Sequence, residues 1–136
     1  MIVVDTSVWI AALKSATGSE AKHLSHLLDA DEVALAAPVR VEILSGASAQ
    51  DRIRLRRSLS ALPVYYPEDA TWTLIDSWVE RAATAGYRFG FADLLIGALA
   101  VEHQCTVWSL DSAFDRMAAI GLLKCYVILE PNPPRT

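Results

Sequence analysis

Positive charge is in short supply in this chain. Twelve Lys and Arg against sixteen Asp and Glu give a formal net charge of −4 and a pI near 5.3. That balance excludes the broadly basic surface on which sequence-independent nucleic-acid binding rests, so any such contact needs a local patch. Cysteine is equally scarce. Cys105 and Cys125 each open an apolar run and form no close-spaced pair, which argues against a disulfide framework or a zinc site and for small buried side chains. Uninterrupted hydrophobic runs are missing too, although 53% of the residues are hydrophobic. Asp5 breaks the first run and Asp93 lies inside the run from Phe89 to Val101, so neither spans a bilayer. The N-terminus lacks the basic segment of a secretory signal. These absences predict a soluble, cytoplasmic protein with no membrane association. Its 136 residues fit one domain, expected over residues 1–130, with PNPPRT at 131–136 as a C-terminal tail.

What is present alternates between strand and helix. Ile2 to Val4 reads as a short β-branched strand ending at Asp5, and Thr6 and Ser7 can cap a helix carrying Val8, Trp9, Ile10 and Leu13. A second helix is expected from Ser19 to Leu28, a strand from Val33 to Ala37, and a helix opened by Pro38 that carries Glu42 in its opening turns. An arginine-rich helix from Asp51 to Leu62, ended by Pro63, precedes a strand from Val64 to Tyr66. A long helix from Pro67 to Ala85 closes on Gly86, and the apolar helix from Gly90 to Gln104 is expected to be buried. Two last strands, Cys105 to Trp108 and Tyr126 to Leu129, flank a helix from Ser112 to Ile120. Such alternation predicts an α/β three-layer sandwich with a central parallel sheet and right-handed crossovers.

Four acids fall at strand-to-helix junctions or first helical turns: Asp5, Glu42, Asp93 and Asp111. In an open parallel sheet such positions gather outside the carboxyl ends of the strands, where ligands bind. Each acid alone has a simpler reading. Asp5 could merely cap the Thr6 helix, and Asp93 is favoured in a first turn by the helix dipole. Together, with no basic residue placed to neutralise them, they repel one another unless a cation sits between them. Carboxylates without His or Cys partners suit a hard ion, Mg²⁺ or Mn²⁺.

The segments VVDTSVWI, VRVEIL, FADLLIGA and WSLDSAF resemble the signature regions of PIN-domain ribonucleases, most closely the VapC toxins of bacterial toxin–antitoxin pairs. The resemblance spans nearly the whole chain. It implies a PIN-like fold and an acidic catalytic site of Asp5, Glu42, Asp93 and Asp111, with Asp5, Asp93 and Asp111 on the metal and Thr6 and Ser109 as supporting hydroxyls. It further implies a Mg²⁺- or Mn²⁺-dependent endoribonuclease that leaves a 5′-phosphate and a 3′-hydroxyl, a homodimer, and a small antitoxin partner. Where many relatives carry a further acid two residues after the Asp111 equivalent, this chain has Ala113, and Asp115 is expected to face away.

Around that reading stand alternatives. A phosphoaspartate hydrolase would need a second Asp where Ser7 stands. A metal-binding receiver-like module would need a lysine after the last strand. A housekeeping RNA-processing nuclease on the same fold differs from a toxin only in its partner. Arg52, Arg54, Arg56 and Arg57 form the one dense basic cluster, expected to dock RNA or a protein partner unless it is only a solvated helix face. His23 and His26 share a helix face without an evident third group, His103 suits a helix end, and the four Trp read as core or interface anchors.

Overall fold

The computed structural model describes residues 1–128. Four strands form one parallel sheet: β1 (Ile2–Val4), β2 (Val33–Ala36), β3 (Val64–Tyr65) and β4 (Thr106–Trp108). Their spatial order is β3-β2-β1-β4. Ile2 lies opposite Val33 on one side and Thr106 on the other, and Leu35 pairs with Val64. Every residue of β1 and β2 is buried, as helices covering both faces of a parallel sheet require.

Seven helices connect these strands among the described residues: α1 (Thr6–Lys14), α2 (Ser19–Asp29), α3 (Ala37–Gly46), α4 (Ala49–Leu59), α5 (Asp69–Thr84), α6 (Phe91–Glu102) and α7 (Ser112–Ala119). The buried run from Leu94 to Ala100 makes α6 the central helix. Gly97 lets it pack closely, since a Cβ there would meet Leu123 Cδ2 at 2.8 Å and Met117 Cε at 3.1 Å. Helix α5 begins with a reciprocal cap between Glu68 and Thr71. It ends at Gly86, whose φ of +82° allows its N–H to reach Ala83 O while Tyr87 N–H reaches Ala82 O.

Several boundaries and one strand depart from expectation. No strand covers Tyr126 to Ile128, and Leu129, like the tail expected at 131–136, lies outside the described residues. Pairing with the three-residue β4 is confined to a bridge between Val107 and Cys125, with Tyr126 N–H donating to Val107 O, after which Val127 and Ile128 turn outward. The arginine-rich helix stops at Leu59 rather than Leu62, because the residue before Pro63 is pushed out of the helical region. No helix is long and apolar enough to cross a membrane among the described residues.

Candidate active site

The chain lays down β1, β2 and β3 outward on one side, then returns to add β4 on the other side of β1. The crossovers leaving β1 and β4 therefore part at their carboxyl ends, where a parallel sheet opens a crevice. Asp5 follows β1 and Asp111 follows β4, so both stand at this switch point. Asp93 arrives differently: α5 and α6 are joined without an intervening strand, and Asp93 occupies the first turn of α6. Glu42 lies deeper in its helix than a junction position, on the exposed face of the second turn of α3.

Asp5 is buried, and its placement is held by two hydroxyls. Ser7 Oγ donates to Asp5 Oδ2 at 2.8 Å and Ser109 Oγ donates to the same oxygen at 2.7 Å. Both hydroxyls are themselves fixed from behind, by Leu110 N–H on Ser7 Oγ at 3.0 Å and Asp111 N–H on Ser109 Oγ at 2.9 Å. With their single protons spent on Asp5, the two serines ring the carboxylate and orient it. Asp5 is the N-cap residue of α1, yet its side chain makes no cap bond. Asp111 does cap: its Oδ1 accepts from Ala113 N–H at 2.9 Å. That oxygen thereby anchors the start of α7.

Three of the acids act electrostatically on the fourth. Burial, reinforced by the negative charges of Asp111, Asp5 and Glu42 in that order, pushes the Asp93 carboxyl up to about 6. None of the four is relieved by an ion pair among the described residues, where the single salt bridge joins exposed Arg54 and Asp51 at 3.4 Å. Nor do any three His, Cys, Asp or Glu side chains converge there as a ready-made metal cage. The charges of Asp111, Asp5 and Glu42 nonetheless reach the Asp93 carboxyl. The donor set is all oxygen, which fits a hard divalent cation and not a soft one.

The sequence pattern of the PIN domain matches residues 2–120, a span that contains all four acids. The chain belongs to the PIN-domain family. A ribonuclease named VapC11 from Mycobacterium tuberculosis is 33% identical over 129 residues, covering 91% of this chain and 96% of that protein. In fold, this PIN domain is similar to a chain of the Rickettsia felis VapBC2 structure bound to promoter DNA, with a TM-score of 0.74, 20% identity and coverage of 93% and 98%. It is also similar to a chain of VapBC-5 from Mycobacterium tuberculosis, described as a member of the VapBC family of toxin–antitoxin systems, with a TM-score of 0.64, 20% identity and coverage of 93% and 97%.

Within this PIN domain, Thr6, expected as a supporting hydroxyl, follows Asp5 directly but does not bond to it. Its hydroxyl is buried without a hydrogen-bond partner, and Ser7, which sequence reasoning passed over as a helix cap, holds Asp5 instead. The readable signal was spacing: a serine two residues beyond the strand-ending Asp can fold back onto it. The arginine cluster also divides. Arg52 Nε and Nη2 donate to Leu44 O at 3.2 Å and Ala47 O at 3.0 Å, so it seals the end of α3 rather than offering charge. Arg54 is tied to Asp51, while Arg56 and Arg57 are exposed. Asp115 points away from the acids. It lies beside Cys125, whose thiol is pushed up by burial and then by that carboxylate. Cys105 and Cys125 are both free thiols. His103 caps α6 and stacks on Tyr65 with ring centroids 3.6 Å apart.

Proposed function

We propose that this chain is a metal-dependent endoribonuclease, the toxin of a toxin–antitoxin pair, acting in the cytoplasm. The observation that carries the catalytic reading is the Asp93 carboxyl, raised to about 6 by burial and by three further acids that no ion pair among the described residues neutralises. Asp5 and Asp93, with Asp111, would hold Mg²⁺ or Mn²⁺, and Glu42 would act on it directly or through water. Such an ion supplies the Lewis acidity that lowers the pKa of water and offsets charge on the scissile phosphate.

The protein's own contribution is preorganisation. Ser7 and Ser109 fix the Asp5 carboxylate before substrate arrives, so no reorientation is needed at the reacting step. The Asp111 bond to Ala113 N–H couples its carboxylate to the start of α7. Asp93, whose carboxyl is raised to about 6 by burial and its acidic neighbours, would be the acid whose ionised form a bound cation favours most. A water in line with the P–O3′ bond would add to phosphorus and lose a proton to solvent while that bond breaks and O3′ takes up a proton, giving a 5′-phosphate and a 3′-hydroxyl. Arg56 and Arg57 on exposed α4 supply the local basic surface that an acidic protein needs to meet RNA.

The partner reading rests on a groove between α1, α3 and α4. Ile10 and Leu13 are 43% and 53% exposed and, with Ile43 and Leu55, line a cavity of about 470 Å³ that opens onto Glu42. Trp9, one of the four Trp read as core or interface anchors, is buried. The groove fits an amphipathic antitoxin segment whose apolar side fills it and whose basic side chain reaches Glu42 and the other acids, displacing the cation. A second apolar face, Trp72 stacked on Phe91 with centroids 6.0 Å apart and Val79 beside it on α5, suits a second copy of the chain. Incubating purified protein with single-stranded RNA in Mn²⁺ and in EDTA tests the nuclease. Cleavage confined to Mn²⁺ supports it, and equal cleavage in EDTA or none in Mn²⁺ overturns it. Co-expression with the neighbouring small gene should yield an inactive complex, and a product that neither binds nor inhibits overturns the toxin assignment.

A further inference from the structure

A second cavity adjoins the acidic crevice and is not used by the chemistry above. It measures about 490 Å³ and is lined by Glu20, Lys22, His23, His26, Trp108 and Leu110, among others. Its volume lies within the range of small-molecule sites. Trp108 and Leu110 flank Ser109, the residue that holds Asp5, so the cavity and the crevice share one loop. Leu110 N–H is also the donor that fixes Ser7. The cavity wall is thereby linked, through Ser109 and the Leu110 N–H, to the two hydroxyls that hold Asp5.

The cavity wall is unusually ordered for a surface feature. His23 Nε2 is hydrogen-bonded to Tyr126 Oη at 2.8 Å, and the ring stands edge-to-face on Trp108 with centroids 5.1 Å apart. Tyr126 also packs on Trp108 at 6.0 Å, and the His26 ring lies 6.4 Å from that of His23. Two aromatic side chains, Tyr126 and Trp108, thus hold one imidazole in place beside a second, exposed imidazole and the Lys22 ammonium. This combination, flat rings with polar edges beside a cation, is the chemistry by which proteins read unstacked bases of single-stranded RNA. The Glu20 carboxylate at the rim adds an acceptor for an exocyclic amine.

We propose that this cavity binds one unpaired nucleobase of the RNA next to the scissile phosphate, with His23 and His26 as specificity-determining residues and Tyr126 as the residue that positions His23. The proposal rests on the ribonuclease reading. It accounts for how an acidic chain without a wide basic surface could select a cleavage position: selection comes from a base pocket coupled to Ser109 rather than from general phosphate attraction.

The test compares wild type, His23→Ala, His26→Ala and Tyr126→Phe on a pool of single-stranded RNAs randomised around the cut, sequenced after limited cleavage in Mn²⁺. The expected result is that wild type prefers a base at one position beside the cut, and that His23→Ala and His26→Ala flatten that preference, with KM rising about tenfold and kcat changing less. Tyr126→Phe, which keeps the ring and removes only the hydrogen bond, should show the same loss in weaker form. His26 is exposed, so its variant remains informative if His23→Ala fails to fold. Unchanged base preference and KM in folded His26→Ala and Tyr126→Phe would overturn the subsite while leaving the nuclease standing. Absence of any RNA cleavage by wild type would instead bring down the ribonuclease reading itself.

Discussion

Replacing Asp93 by Asn should remove a pH-dependent loss of stability that the wild-type protein carries without metal. The Asp93 carboxyl sits near 6 in the folded protein, mainly through burial and then through Asp111, Asp5 and Glu42, against an ordinary value near 4. The folded state thus holds this proton more tightly than the unfolded state does. Its contribution is favourable below about pH 4 and is lost as pH rises through 6. A hundredfold difference in proton affinity corresponds to about 3 kcal/mol, which solvent screening at this half-buried position reduces to roughly 1 kcal/mol. Asn keeps the volume and has no charge to suppress. Urea unfolding of both proteins in EDTA at pH 4 and pH 8 gives the measurement. Between those pH values the wild type should lose about 1 kcal/mol more than Asp93→Asn, a double difference that cancels titrations common to both. Adding Mn²⁺ at pH 8 should stabilise the wild type and do little for the variant. Equal pH dependence in the two proteins would refute the crowding of charge at Asp93.

Ser7→Ala should cost about 1 to 2 kcal/mol and lower cleavage, because it strands Leu110 N–H and frees Asp5, whereas Thr6→Val should be neutral or stabilising since that hydroxyl bonds to nothing. Thermal melts with a cleavage assay separate the two. Arg52→Ala should destabilise by about 1 kcal/mol by removing the side-chain bonds to Leu44 O and Ala47 O, while the paired changes Arg56→Glu and Arg57→Glu should leave the melting temperature in place and weaken cleavage with a shallower salt dependence.

Much of this molecule is legible in its sequence because its elements are punctuated by local chemistry. Pro38 at a helix start, Gly86 at a helix end and the β-branched run before Asp5 each impose a boundary that tertiary packing leaves unchanged. The all-round apolar character of α6 likewise predicts its central place. What could not be read is what depends on contacts distant in sequence. The pairing of Ser109 with Asp5 crosses 104 positions. The partnership of His23 with Tyr126 crosses 103. Arg52 looked like one charge among four until the end of α3 came close enough to be capped by it. Asp93 follows no strand at all, as the run from Gly86 to Gly90 already suggested, so the influence of Asp5, Glu42 and Asp111 on it comes from the packing of α6 and not from a strand-to-helix junction.

The most direct test of the central claim is the cleavage rate of one defined single-stranded RNA by wild type, Asp5→Asn and Asp93→Asn in Mn²⁺, with circular dichroism melts of the same samples. A shared four-acid cation site predicts folded variants, each at least about a hundredfold slower, since every lost carboxylate removes charge that several kcal/mol of transition-state stabilisation depends on. Wild-type rates in both folded variants would contradict it.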